Sequence, residues 1–470
     1  MVNLPGCIDE PGSRPYKELP HFIFSLKPYE LLYEHFNSFS QEFVPLWYFL
    51  CSNREKALRF VIIDQMIGAK DKDNLIYNKI ADRFINMADA DESGYKCLQY
   101  YQRWMVDSVK YNNSVLYYDN QENYKVSRAA ADLQGGTLQD YAIESANAAM
   151  ILKLGLNYLT AYPADIRCGE ISEKYFAPVY DNDLLFAVVL KTNILSFFLP
   201  LSQANHYYCE ELPFYYEDIP VILINSYDFG AYKLNMLDTA RIVRTPESQF
   251  TDNFRKIRSS VAIDLDSGTT AFNTSISLSG QYSTLCRFSY LNRPTDLSVN
   301  PAYNQKIWEI GRDVNVHKLN TGKTDLTFPF LTNITAEYSC NNLIDKTADG
   351  YNINIKNWLN HVIPSNYDTI YRFTDFYPDF TGSDSYIYQL VFDREIDLSG
   401  SDRNISIAND FVSYSLLIQK QSENIILIKS NLSWKSAVVR KEQISQLIKL
   451  FKEVDNGKNL VLRIFPKVSP

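Results

Sequence analysis

Cys168, His206 and Asp218 stand in the order nucleophile, base and orienting acid, 38 and 12 residues apart. Such a set performs acyl transfer: a thiolate attacks a carbonyl, an imidazole shuttles the proton, and a carboxylate fixes the imidazole. The local sequence argues against it. Cys168 lies in Ile166-Arg-Cys-Gly-Glu170, beyond an apolar strand-like stretch, and His206 lies in the polar Gln203-Ala-Asn-His-Tyr207. Spacing without the right element is a weak warrant for catalysis. The acidic runs Asp89-Ala-Asp-Glu92 and Glu217-Asp218 lack the Asp-x-Asp-x-Asp-Gly pattern of a calcium loop and read as solvated loops. The seven cysteines are scattered without a Cys-x-x-Cys pair, and His21, His35, His317 and His361 have no partner at ligand spacing. No metal and no cofactor is therefore expected. A phosphate-cradling glycine loop and a Gly-x-Ser-x-Gly elbow are both absent from the sequence.

The elements that would position such residues change character along the chain. Residues 1–20 carry four prolines and read as an irregular lead-in, and Lys27 to Met87 reads as helical. A helix from Gly94 to Tyr111 follows from the apolar stripe Leu98, Tyr101, Met105 and Val109. After Gly135-Gly136 a second helix is expected from Leu138 to Leu154, with Gly155 at its stop. The period then shifts to that of strands at Leu156–Ile166, Leu184–Leu190, Ile194–Leu199 and Pro220–Ser226. Helices first and an antiparallel sheet afterwards describe an α+β unit.

From about Asn253 the chain is β-rich. Ser260 to Gly268 alternates and ends in Asp-Ser-Gly, a hairpin signal whose return strand is Phe272–Leu278. Further strands are expected at Tyr386–Phe392, Phe411–Gln419 and Asn424–Leu432, then a helix at Lys441–Val454 and a last strand at Asn459–Phe465. Asp375-Phe-Tyr-Pro-Asp-Phe380 is expected to anchor aromatics in the β core.

Composition excludes some partners. A net charge of −9 argues against nucleic acid, whose binders present a basic face. No window approaches the roughly 20 apolar residues of a membrane span, and no basic start followed by an apolar run marks a signal peptide. Leu4-Pro5-Gly6-Cys7 is faintly like the end of a lipoprotein signal, but a chance tetrapeptide is the preferred reading. The 34 Tyr and 27 Phe fit β-rich cores before they fit a sticky surface.

Several short matches point in one direction. Gly135-Gly-Thr-Leu-Gln-Asp-Tyr-Ala142 resembles the nucleophile turn of the transglutaminase-like superfamily, in which Cys-x-Asp-Tyr/Phe-Ala opens a helix. Trp104-Met-Val106 with Lys110-Tyr111, Gly155-Leu156 with Ala161-Tyr162-Pro163, and Leu212-Pro213-Phe214 resemble that family's flanking helix, helix exit and Leu-Pro turn. Asp264-Leu-Asp-Ser-Gly268 and Asn459-Leu-Val-Leu-Arg463 resemble the start and end of the β-domain that bacterial members carry. The resemblance covers about residues 95–470. It implies a helical N-terminal region at 1–90, a degenerate transglutaminase-like, papain-like domain at 91–250, and a β-sandwich-like domain at 251–470.

The resemblance also implies lost chemistry. Leu138 stands for the family's Cys, with Asp140 as an alternative register. Phe186 stands for its His, and Pro200 or Leu201 for its Asp. No cysteine lies between Cys97 and Cys168 and no histidine between His35 and His206, so a shift of a few residues restores nothing. The expectation is a non-catalytic binding or scaffolding protein with a protein or cell-envelope partner, using the former cleft around Asp140 and Tyr207. A periplasmic or cell-envelope location is implied by the resemblance alone. Two alternatives stay open: a thiol hydrolase or acyltransferase using Cys168, His206 and Asp218, and a glycan-binding protein built on surface tyrosines.

Overall fold

The computed structural model describes residues 81–88, 92–108, 110–111, 137–138, 151, 153–163, 185–192, 194–198, 208–224, 241–287, 314–325, 327–355, 358–359, 361, 372–399 and 403–467. The chain divides into two compact units between Glu247 and Ser248. Among the described residues strands dominate and helices are few, so the α+β expectation holds only loosely.

The first unit opens with helix α1 (81–88) and helix α2, Tyr95–Ser108. The stripe read from the sequence is the buried face of α2: Leu98, Tyr101 and Met105 are sealed, and the Tyr101 ring meets Phe84 edge-on at 6.0 Å. The helix stops earlier than expected, because Lys110–Tyr111 leave it to form strand β1. Gly155, at φ +74, supplies the left-handed residue that ends the later helical stretch. Beyond it lie β3 (Asn157–Pro163), β4 (Leu185–Val189), β5 (Leu195–Phe198), β6 (Pro220–Ile224) and β7 (Arg241–Arg244). They form an antiparallel sheet in the order β5-β4-β3-β6-β7. Its first four strands were legible as apolar runs. β7, Arg241-Ile-Val-Arg244, was not, since a four-residue edge strand with a charge at each end carries little periodicity.

The second unit begins with the hairpin of β8 (Phe254–Asp264) and β9 (Thr269–Ser279). Gly268 turns it at φ +69, and the Asp264 carboxylate accepts the backbone N–H groups of Asp266 and Ser267. A short helix α3 (Gln281–Cys286) follows, then β10 (Val314–Thr321), β11 (Thr332–Cys340), β12 (Ile344–Lys346) and β13 (Tyr351–Asn354). The chain continues through β14 (Gly382–Phe392), β15 (Ile396–Ser399), β16 (Arg403–Ala408), β17 (Val412–Ser422) and β18 (Ile425–Trp434). It closes with helix α4 (Ile444–Lys458) and β19 (Val461–Pro466).

Eight of these strands make one mixed sheet in the order β10-β11-β9-β8-β14-β18-β17-β16, and four make a second sheet, β12-β13-β19-β15. The large sheet is antiparallel except where β8 and β14 run side by side in parallel. One continuous core joins its inner face to the small sheet and to the apolar face of α4, where Leu447, Leu450, Phe451 and Val454 are sealed. The Asp375–Phe380 loop sends Phe376 into this core, stacked on Trp434 at 5.8 Å. Every described tyrosine of this unit is buried; Tyr290, Tyr303, Tyr367 and Tyr371 lie outside the described residues.

Candidate functional site

The residues implied by the transglutaminase resemblance fall in the first unit, and the structure describes part of them. Leu138 does not open a helix. Thr137–Leu138 form the two-residue strand β2, which pairs in parallel with Lys110–Tyr111 of β1. An extended segment gives its backbone N–H groups to a neighbouring strand, so the unpaired amides and dipole of a helix start are not concentrated at this position. Helical residues are described only at Ile151 and Lys153. Phe186 lies in β4 opposite Phe198 of β5, as an apolar strand pair should. Pro200, Leu201, Asp140, Tyr207, Cys168 and His206 lie outside the described residues.

Asp218, the third member of the alternative thiol set, is exposed on the turn before β6 with φ +47. Its carboxylate is taken by Arg244 Nε at 2.8 Å, and the same guanidinium reaches its backbone carbonyl. That pairing locks the β6–β7 edge and occupies the acid. Nearby, burial pushes the Cys209 thiol far above the ordinary range, reinforced by the Glu210 charge, and its sulfur lies 3.6 Å from Ser196 Oγ. In the second unit burial pushes the Cys286 thiol up to about 12. Neither is a thiolate near neutral pH.

A different constellation, missed by sequence reasoning, lies inside the second unit. His361 Nε2 is 2.7 Å from Ser430 Oγ, and His361 Nδ1 is 3.3 Å from Asp384 Oδ2. This is the order of contacts that activates a serine nucleophile. Behind it, Arg255 grips Asp384 bidentately, Nε to Oδ1 at 2.7 Å and Nη2 to Oδ2 at 2.6 Å, and donates to Tyr386 Oη at 2.8 Å. The parallel β8–β14 register places Arg255 opposite Asp384, and the β14–β18 register places Ser430 opposite Tyr386. The Tyr386 and Tyr414 rings stand edge-on to the imidazole at 5.0 and 5.8 Å.

Burial decides what this set can do. Ser430, His361 and Asp384 are only 3, 4 and 1 % exposed. Ser430 lies mid-strand with neighbours paired on both sides, and its hydroxyl is also 3.3 Å from the Ser415 carbonyl. No carbonyl substrate reaches it without parting the sheet. Burial alone would raise the Asp384 carboxyl, but the Arg255 charge and the hydrogen bonds from His361 and Arg255 outweigh it and hold it well below the usual carboxylate range. Arg255 is correspondingly held in its charged form against the desolvation that opposes it. The cluster is a paired polar plug that ties His361 to the sheet.

One surface cluster has ligand-like geometry. Asp264, Asp266 and Asp393 bring a carboxylate oxygen each within 4.8 Å of one another. Arg394 already binds Asp266 and Asp393, at 2.6 Å to each, so a cation is present in the form of a guanidinium.

Comparison with known proteins bears mainly on the second unit. Residues 352–463 match a family model described as a domain of unknown function with a solved structure, DUF3858. The match runs from within β13 to within β19 and includes Ser430, His361 and Asp384, whereas Arg255 lies outside it on β8. No curated protein matches the chain. The crystal structure of a candidate protease from Parabacteroides distasonis is similar at 10 % identity with a TM-score of 0.42, over 87 % of this chain and 58 % of that one. The chain thus spans less than two thirds of that protein's length.

Proposed function

We propose that this protein is a non-catalytic binding or scaffolding protein whose first unit descends from a transglutaminase-like scaffold, with the bacterial cell envelope as its setting. The observation that carries the reading is the state of its nucleophiles. The serine backed by a histidine and a carboxylate is sealed between paired strands. Of the four described thiols, Cys209 and Cys286 are held protonated by burial, and Cys97 and Cys340 are buried. The resemblance adds that Leu138, Phe186 and Pro200 or Leu201 stand where thiol, imidazole and carboxylate would be. Apolar side chains at those positions remove the cost of buried polar groups that need partners, as a packed or partner-covered surface requires.

The test is thiol reactivity in the folded chain. A maleimide or iodoacetamide probe, followed by peptide mapping between pH 5 and pH 9, should label no cysteine faster than a free thiol. Selective labelling of Cys168 at pH 6 that vanishes in His206→Ala would instead establish the thiol hydrolase.

A further inference from the structure

The outer face of the eight-stranded sheet is a regular surface that the core of the second unit does not use. Side chains alternate across a strand, so the residues between the buried positions of β8, β9, β14 and β18 share this face. Small hydroxyl and amide side chains make up about half of it, beside apolar residues such as Ile387 and Val391. One row across adjacent strands, set by the pairing register, reads Asn333, Ser277, Lys256, Ser385, Asn431 and Ser415. These groups already hydrogen-bond to one another, Ser277 Oγ to Asn333 Oδ1 at 2.7 Å and Ser385 Oγ to Asn431 Oδ1 at 2.5 Å. The side chains are thereby fixed in place, so further contacts cost little ordering entropy.

The next row carries Arg258 on β8 and Lys429 on β18, both opposite Ile387 of β14. Two strand spacings separate them, about 10 Å, and Lys256 lies about 7 Å from Arg258 along the same strand. All three are exposed. Lys256 lies over the Phe254 ring at 4.1 Å, and among the described residues neither Arg258 nor Lys429 has an ion-pair partner. The acid of this face, Glu337 on β11, is taken by Lys318 at 3.5 Å. A protein of net charge −9 thus presents three cations without carboxylate partners among the described residues on one hydroxyl-bearing sheet face.

We infer that this face, centred on Lys256, Arg258 and Lys429, binds an acidic polysaccharide. Carboxylate or sulfate groups would neutralise the cations, and sugar hydroxyls would exchange hydrogen bonds with the serine, asparagine and threonine rows. A protein partner fits less well, because the aromatic that β8, β9, β14 and β18 offer on this face, Phe254, is half-buried and capped by Lys256 rather than free to serve as an anchor. Neutral sugars that need a stacking platform are also disfavoured, because the described tyrosines of this unit are buried in its core. The inference deepens the binding reading above and rests on it.

Affinity electrophoresis of the full chain tests it, with polygalacturonate, dextran sulfate, neutral dextran or poly-glutamate in the gel and mobility referred to a polymer-free gel. Retardation is expected with polygalacturonate or dextran sulfate and not with dextran or poly-glutamate. Arg258→Gln/Lys429→Gln should weaken it roughly tenfold. Lys449→Gln/Lys452→Gln, which removes the same charge from the exposed side of α4, should leave it unchanged. No retardation of the wild type, equal retardation by poly-glutamate, or equal loss in both double variants would overturn the inference. The binding reading itself fails on a different readout, covalent labelling of a catalytic residue, so the two failures are told apart.

Discussion

Asp384 is the residue on which the second unit's polar interior turns. Its carboxyl is held below the usual range by Arg255 and His361 despite burial. In an unfolded chain such a group titrates near pH ~4. The unfolded state therefore binds more protons than the folded one as pH falls through that value. The stabilisation is complete above it and is lost progressively as pH drops toward the lower folded value. Asp375 contributes with the same sign: burial opposes ionisation, but the Lys441 backbone N–H and Arg440 lower its carboxyl. Urea unfolding followed by tryptophan fluorescence should show a falling midpoint from about pH 5 to pH 3. Asp384→Asn should flatten that slope and cost about 3 kcal/mol at pH 7, because it leaves Arg255 without its counter-charge. A wild-type midpoint independent of pH over this range would contradict the assignment.

The residue-scale signal was present in the sequence but easy to overlook. Asp384 lies in phase with Tyr386, Tyr388, Leu390 and Phe392, and Ser430 in phase with Ile426, Ile428 and Leu432, so each is a polar residue on an inward-facing register. A carboxylate at such a position requires a partner. Which partner it finds was not legible. His361 and Arg255 come from a loop and from a strand more than a hundred residues away, and their placement depends on pairing that local pattern does not encode.

At the scale of elements, what is local was readable and what is long-range was not. The β8–β9 hairpin, the α4 stripe and strands β14, β17 and β18 follow from alternation, turn residues and helical spacing. The parallel contact of β8 with β14 joins strands far apart in sequence within the one eight-stranded sheet, which local pattern does not encode. The helix expected from Leu138 does not include Leu138 itself, because a two-residue pairing with Lys110–Tyr111 uses the same backbone groups; residues 139–150 lie outside the described residues. Packing of α4 yields a sharp prediction at Gly457. A Cβ there would come within 2.2 Å of the buried Tyr414 hydroxyl and 3.3 Å of Leu416 Cδ2. Alanine gains up to about 1 kcal/mol of helix propensity, but overpacking of this kind costs about 1–3 kcal/mol. Gly457→Ala should therefore lower the denaturation midpoint, and Gly457→Ala combined with Tyr414→Phe should recover part of it. A stabilised single variant would show that α4 does not press on β17 as described.

At the scale of the molecule, a mostly β second unit containing a DUF3858 match follows a first unit for which a non-catalytic role is proposed. Fold alone does not assign function, and the weight rests on whether any nucleophile in the folded chain is reactive. The most direct measurement is intact-mass analysis of the full chain after incubation with a fluorophosphonate and, separately, with iodoacetamide at pH 7. The account predicts no stoichiometric adduct from the fluorophosphonate and only slow, unselective alkylation from iodoacetamide. A single fluorophosphonate adduct on Ser430 that disappears in His361→Ala, or a single fast thiol adduct, would contradict it and make this protein an enzyme.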